Sequence, residues 1–237
     1  VGTHNEFFKF RNLFIRDNFG SYRFSSLDNL DRGLGQSYDY SFSVTGDPQQ
    51  AAKFKVNQFG FYAGDLWRVG PRLTLNYGVR LDIPSFPDSP TANPAAVANF
   101  GYATDVVPSP LMFSPRAGFN WDPQGDGKSQ LRGGLGMFSG RTPYVWLSNQ
   151  YGNTGIEFKR IGASFNANNR IPFVSDPYSQ PQVVVGAGAG SFTNEIDVID
   201  PDYKFPQVLR TNLGYDRDLG VWGLVGSLEV FFSSSLK

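Results

Sequence analysis

Apolar and polar residues alternate one by one along much of the chain, the period of two that puts successive side chains on opposite faces of a β-strand. In residues 37–45, Tyr38, Tyr40, Phe42 and Val44 alternate with Ser37, Asp39, Ser41, Ser43 and Thr45. In 72–82, Leu73, Leu75, Tyr77, Val79 and Leu81 alternate with Arg72, Thr74, Asn76, Gly78, Arg80 and Asp82. Ala117, Phe119 and Trp121 continue the pattern through 115–122, and Leu209, Thr211, Leu213 and Tyr215 through 207–216. Weaker versions run through 57–67, 130–139 and 223–232, and further strands are expected near 20–24 and 7–14. Several runs are nine to twelve residues long. Strands of soluble proteins average about five or six, whereas about 9–11 tilted residues cross a hydrocarbon core. Length favours the membrane.

The connections alternate between short and long. Val69-Gly70-Pro71 and Leu219-Gly220-Val221 read as tight turns, and 123–128 as a slightly longer one. Between them lie 83–114 and 140–206, rich in Pro, Gly and Asn. Loops of that size count against a compact soluble domain, but short periplasmic turns with long outer loops are the rule in outer-membrane barrels. The pattern predicts an all-β, antiparallel, up-and-down transmembrane barrel segment of about eight strands, 1–237 forming part of one barrel domain.

In such a wall the apolar face meets lipid and the other face a polar lumen. Arg72, Arg80, Arg116, Arg132 and Arg210 fall on the second face with Asp82, Asp122 and Asp216, as do Gly78, Gly118, Gly134 and Gly214. An Arg or Lys facing lipid at the midplane would cost about 2–4 kcal/mol. A soluble sandwich would also keep these charges on its wet face. Trp67, Trp121 and Trp222 flank the short turns, where an aromatic girdle at the periplasmic interface is expected.

Composition agrees with β structure: aromatics make up 16% of the 237 residues and charged residues only 18%. Net charge is zero, which leaves no electrostatic footprint for nucleic acid. Cysteine is absent, excluding disulfides and thiolate metal sites. No apolar run is long enough for a transmembrane helix, and the first residues have no signal-peptide pattern.

Several stretches carry a closer likeness. Gly60-Phe61-Tyr62-Ala63-Gly64-Asp65-Leu66-Trp67-Arg68-Val69, followed by Pro71-Arg72-Leu73-Thr74-Leu75-Asn76-Tyr77-Gly78-Val79-Arg80-Leu81-Asp82, resembles a hairpin of TonB-dependent receptors. Phe113-Ser114-Pro115-Arg116-Ala117-Gly118-Phe119-Asn120-Trp121-Asp122 and Leu131-Arg132-Gly133-Gly134-Leu135-Gly136-Met137-Phe138-Ser139-Gly140-Arg141-Thr142-Pro143 look like the next two strands. The likeness runs from about Leu13 onward and is nearest to the Oar-like subgroup, whose members carry a carboxypeptidase-regulatory-like domain before the plug. It implies a nutrient importer of the bacterial outer membrane, with a barrel of about 22 strands around a plug, driven by the TonB complex. Plug, TonB box and a terminal aromatic residue are not recognisable in this sequence, so an internal piece of the barrel is expected. Its partners would be outer-membrane lipid, the plug, the remaining strands and, through the missing N-terminal part, the TonB complex.

No catalytic constellation stands out. A nucleophile–base triad needs a histidine, and His4 is the only one. The run from Asp122 to Gly127 opens like a calcium loop, but Gln124 and Gly133 occupy ligand positions, and a hairpin turn fits better. Residues 186–190, Gly-Ala-Gly-Ala-Gly, read as plain loop, because no lysine and helix follow. Asp200 and Asp202 fit a solvated loop. No enzyme activity, metal or cofactor is expected. For ligand binding, Tyr144, Trp146, Asn149, Gln150, Tyr151 and Asn153 cluster in a long loop, where aromatic faces and amides suit sugars or peptides; packing of the loop on itself or on the plug suits them better still. Arg80, Arg116 and Arg132 could hold a plug through its carboxylates. Two other classes fit parts of the pattern: a soluble β-sandwich module binding carbohydrate or peptide, and a small barrel enzyme of the outer membrane.

Overall fold

The computed structural model of the protein describes residues 1–184 and 192–236; the glycine-rich stretch 186–190 lies outside them. Seven long strands form one antiparallel sheet, here called the wall. They are β1 (Gly2–Asn12), β5 (Ala52–Arg68), β6 (Leu73–Ser85), β7 (Met112–Trp121), β8 (Ser129–Ser139), β12 (Gln207–Asp218) and β13 (Val225–Ser235), paired in that order. Each neighbour in space is the next of these strands in sequence, so the wall is an up-and-down meander.

Three short turns close one end. Val69 donates its amide to the Leu73 carbonyl at 3.0 Å. In the second turn Asp122 accepts the amides of Gly125 and Gly127 at 2.7 and 2.9 Å, and both glycines have positive φ. In the third, Leu224 donates to Val221 at 3.0 Å. The other end carries three long insertions, 13–51, 86–111 and 140–206. The third has the bounds of the expected long loop, and the second is trimmed at both ends because β6 and β7 run further than the alternation suggests.

The first insertion is a correction. Residues 37–45 were expected as a spanning strand, but β4 (Ser37–Ser43) lies outside the wall. With β2 (Ser21–Arg23), β9 (Phe158–Ser164) and β11 (Phe192–Thr193) it forms a four-stranded sheet, and β3 (Leu34–Gly35) pairs with β10 (Ile171–Pro172). The expected strand near 20–24 belongs there too. The wall therefore has seven strands in place of about eight. An alternating strand needs an apolar neighbour on one side, and the pattern does not say whether that neighbour is lipid or protein. Here it is protein: Tyr38, Tyr40, Ile161, Ala163, Phe165 and Ile171 are buried together.

The insertions, together called the cap, also hold three helices among the described residues. In α1 (Leu27–Asp31) the Ser26 side chain accepts the Asn29 amide at 3.2 Å. In α2 (Pro94–Phe100) Asn93 caps the start, Pro94 occupies the first turn and Gly101 stops the helix at φ 78°. Asn93 also donates its side-chain amide to Thr154 at 2.8 Å, tying the second insertion to the third. The last helix, α3 (Tyr144–Gly152), packs against the wall itself.

Candidate lumenal face and its cap

Register assigns every wall residue to a face, because directly paired residues point the same way. One face carries Trp67, Phe61 and Phe59 of β5, Leu75, Val79 and Leu81 of β6, and Phe113, Phe119 and Trp121 of β7. It continues through Leu131 and Leu135 of β8, Leu213 of β12, and Leu228, Val230 and Phe232 of β13. Many of these are bare: Leu135 is 54% exposed, Leu213 51%, Val230 65% and Phe232 56%. Second sheets cover such a face in a sandwich, and none does so among the described residues. So broad an apolar surface needs a non-aqueous neighbour.

The opposite face is polar. Paired residues Gly78, Arg116, Gly136 and Arg210 form one row across four strands, and Asn76, Gly118, Gly134 and Asn212 form the next. Arg132 lies one row further on. Its guanidinium donates to Asp216 at 2.9 Å and to both Glu229 oxygens at 3.3 Å, and Asn212 donates to Glu229 at 2.9 Å. Opposite Arg132 stands Gly214; a Cβ there would come within 3.1 Å of the guanidinium, so the glycine gives it room. Arg116 and Arg210 form no ion pair among the described residues. Around these groups lies an open trough of about 490 Å³. Higher up, Arg80 grips Asp82 of its own strand with contacts of 2.7–2.9 Å, and Arg141 reaches Glu6 at 2.8 Å.

Arg80, Asp82, Arg116, Arg132 and Arg210 thus share the polar face, as expected from alternation. Arg72 precedes β6, so no strand pairing assigns it to a face, and its guanidinium lies beside Gly125 in the adjacent turn. The carboxyl of Asp122 is held below its usual range, first by the Gly127 amide and then by those of Gly125 and Gln124. Its oxygens cap the turn's own backbone, the hairpin role expected for it. His4 sits 3.8 Å from Glu6.

Near the insertions the two faces exchange character. Phe8, Phe10, Phe54 and Val56 continue the rows of the polar face, and α3 covers them there. The Tyr151 ring stacks on Phe54, and Tyr144 packs against Phe8 and Phe10 while donating to Gln58 at 2.8 Å. Asn12, on the same side, donates to Ser148 at 2.8 Å. The helix therefore leans inward over the polar face.

This sets the six residues expected to meet a ligand in context. Gln150 is fully buried and donates to the carbonyls of Thr104 and Val106 at 3.2 and 2.8 Å. Tyr151 is buried with its hydroxyl donating to the Asp88 carbonyl, and Asn153 donates to Asp197 at 2.7 Å. Tyr144 is half-buried. Only Trp146 and Asn149 stand exposed. Sequence reasoning missed Glu229, Glu6 and Arg141. Glu229 interrupts the apolar run 228–232 at an inward position, a signal that only a fixed register makes readable.

Among the described residues no helix is long and apolar enough to cross a membrane; the strands are what can cross, if closed into a barrel. Residues 3–227 match the family described as outer membrane beta barrel domain. The chain belongs to that family. It is a bacterial outer-membrane protein, its apolar face meeting lipid and its polar face the lumen. The soluble sandwich is set aside, since both the family and the bare face oppose it. Neither a curated protein nor a solved structure matches the chain. In outer-membrane barrels short turns are as a rule periplasmic and long insertions lie outside the cell.

Proposed function

We infer that the chain is part of the barrel of a TonB-dependent receptor that imports a nutrient into the periplasm and catalyses no reaction. The observation that carries this reading is the inner face: a lumen lined by Arg80, Arg116, Arg132 and Arg210, with an outer-loop helix leaning over it. A lumen so charged and so covered suits gated uptake better than an open pore. The hairpin of β5 and β6, with its Trp67 and its Leu-Thr-Leu run, supports the same family by resemblance.

Both wall edges, β1 and β13, have one unpaired side among the described strands. Lipid tolerates no open edge, which suits a wall that is one portion of a larger barrel, as in family barrels of about 22 strands. The guanidinium groups of Arg116 and Arg210, in no ion pair among the described residues, suit carboxylates of a plug domain held inside. Trp146 and Asn149, exposed on the cap, are positioned for first contact with a nutrient.

The test is genetic. Deleting the gene should abolish energised uptake of one nutrient class, and loss of the TonB complex should have the same effect. Uptake that persists at wild-type rate without the TonB complex would make the barrel a passive channel and end this reading.

A further inference from the structure

Where the wall leaves the membrane, its lipid-facing side becomes basic. Lys9 pairs directly with Lys55, and Arg11 with Lys53, across β1 and β5. All four side chains are exposed, and they occupy the same face as Phe7, Phe59 and Phe61 below them. Directly opposed side chains have Cβ atoms about 5 Å apart, and like charges so placed are destabilising. No carboxylate relieves them: none of the four takes part in an ion pair among the described residues. Asp88 comes closest in the hydrogen-bond pattern, but it accepts the backbone amide of Lys55, at 2.8 Å.

Height places this cluster. Lys55 lies twelve residues along β5 from Trp67, the aromatic residue at the periplasmic interface. At about 3.3 Å per residue and a tilt of about 40°, that is about 30 Å along the membrane normal. The apolar band of such barrels is about 25 Å tall. The four cations therefore stand just above the outer edge of the hydrocarbon, on the outside of the barrel, at headgroup level.

We propose that Lys9, Arg11, Lys53 and Lys55 form a docking site for the phosphorylated headgroup of an outer-leaflet glycolipid, its acyl chains lying along Phe7, Phe59 and Phe61. A headgroup carrying two phosphates supplies the negative charge the cross-strand pairs lack, and the aromatic side chains just below supply the apolar surface for its tails. Recognition rests on the outer surface and does not depend on what passes through the lumen.

The experiment uses the full-length protein in phosphatidylcholine nanodiscs doped with bisphosphorylated lipid A, with retained lipid counted by native mass spectrometry. Replacing all four residues by glutamine should reduce retention by about tenfold or more, since each cation near a membrane surface contributes appreciably. Replacing both lysines on β5 by arginine should preserve it, and Arg116→Gln with Arg210→Gln should leave it unchanged. A single Lys9→Glu separates binding from folding: it should raise the thermal midpoint in non-ionic detergent, by pairing with Lys55, while lowering lipid retention. Inorganic pyrophosphate at matched phosphate concentration should not displace the lipid. Wild-type retention by the glutamine variant would overturn the proposal, as would full displacement by pyrophosphate, or parallel loss of stability and retention in Lys9→Glu.

Discussion

The ring of Tyr151 lies flat on that of Phe54, centroids 4.3 Å apart and planes within 8°. One ring belongs to a helix of the third insertion and the other to a wall strand, so this stack is where cap and barrel meet. Both residues are almost fully buried. Truncating a buried aromatic costs about 3–5 kcal/mol, and here the loss falls on helix docking while the wall remains paired. Tyr151→Ala should open residues 140–206 to limited proteolysis at protease levels that leave the native protein intact. Tyr151→Phe keeps the ring and loses only the hydroxyl's bond to Asp88, about 1 kcal/mol, and should stay resistant. Equal resistance of the alanine variant would show that the stack does not hold the helix.

The same hydroxyl makes the docking sensitive to alkali. Burial, reinforced by Asp88, pushes the Tyr151 phenol up to about 12, from about 10 in an unfolded chain. A raised value means the docked state favours the neutral phenol. Its contribution is therefore whole below about pH 10 and fades as pH climbs through 12. Proteolysis of the cap should accelerate across that window in the native protein and much less in Tyr151→Phe. Identical alkaline profiles would rule the phenol out as the cause.

Leu213 and Asn212 adjoin in β12 and point to opposite sides of the wall. An arginine in place of Leu213, near mid-strand, would face acyl chains at a cost of about 2–4 kcal/mol. Placed at Asn212 it would face the lumen beside Glu229 and cost far less. Denaturant unfolding of the full protein in bilayers should separate the two variants clearly. Comparable losses would mean that the faces are assigned the wrong way round.

Trp222 occupies a strained position. It and Gly223 both have positive φ, 53° and 69°, in the turn closed by Leu224 donating to Val221. A turn with two such residues favours Asn-Gly, and a bulky residue held there costs about 1–2 kcal/mol. The indole is 94% exposed at the periplasmic rim, where tryptophan anchors a barrel in the interface. Trp222→Asn should therefore stabilise the hairpin in detergent micelles yet weaken the protein in bilayers. A change of the same sign in both media would remove the anchoring role.

Much of the wall was legible in the sequence because lipid and lumen impose opposite chemistry on alternate residues. Leu73 to Asp82 could be assigned residue by residue, and so could the inward positions of Arg80, Arg116, Arg132 and Arg210. The three short turns stood out by their glycines and prolines. The cap did not. Tyr38 and Tyr40 alternate with polar residues just as Leu213 and Tyr215 do, and only β4's seven residues, too few to span, set them apart. The rows Lys9–Lys55 and Arg11–Lys53 were hidden for another reason. Their spacing against Phe8, Phe10, Phe54 and Val56 is plain in the sequence, but their facing each other depends on a pairing across the whole first insertion. Packing of the loop residues was one of the two readings the sequence offered, but nothing in it showed that Tyr151 and Gln150 would pack while Trp146 stays exposed.

The Tyr38 hydroxyl donates to the carbonyl of Pro181 at 3.0 Å, from a residue 143 positions earlier in the chain. β4 likewise finds its partner β9 only after four wall strands have intervened. Wall hairpins can close as each pair of neighbours arrives, whereas contacts so distant in sequence must wait for loop closure. The ordered outer surface is thus the last part to assemble, and until β9 arrives the aromatic side of β4 is shielded only by Tyr22 of β2. During biogenesis that interval gives chaperones a second apolar surface to shield, beside the bare face of the wall.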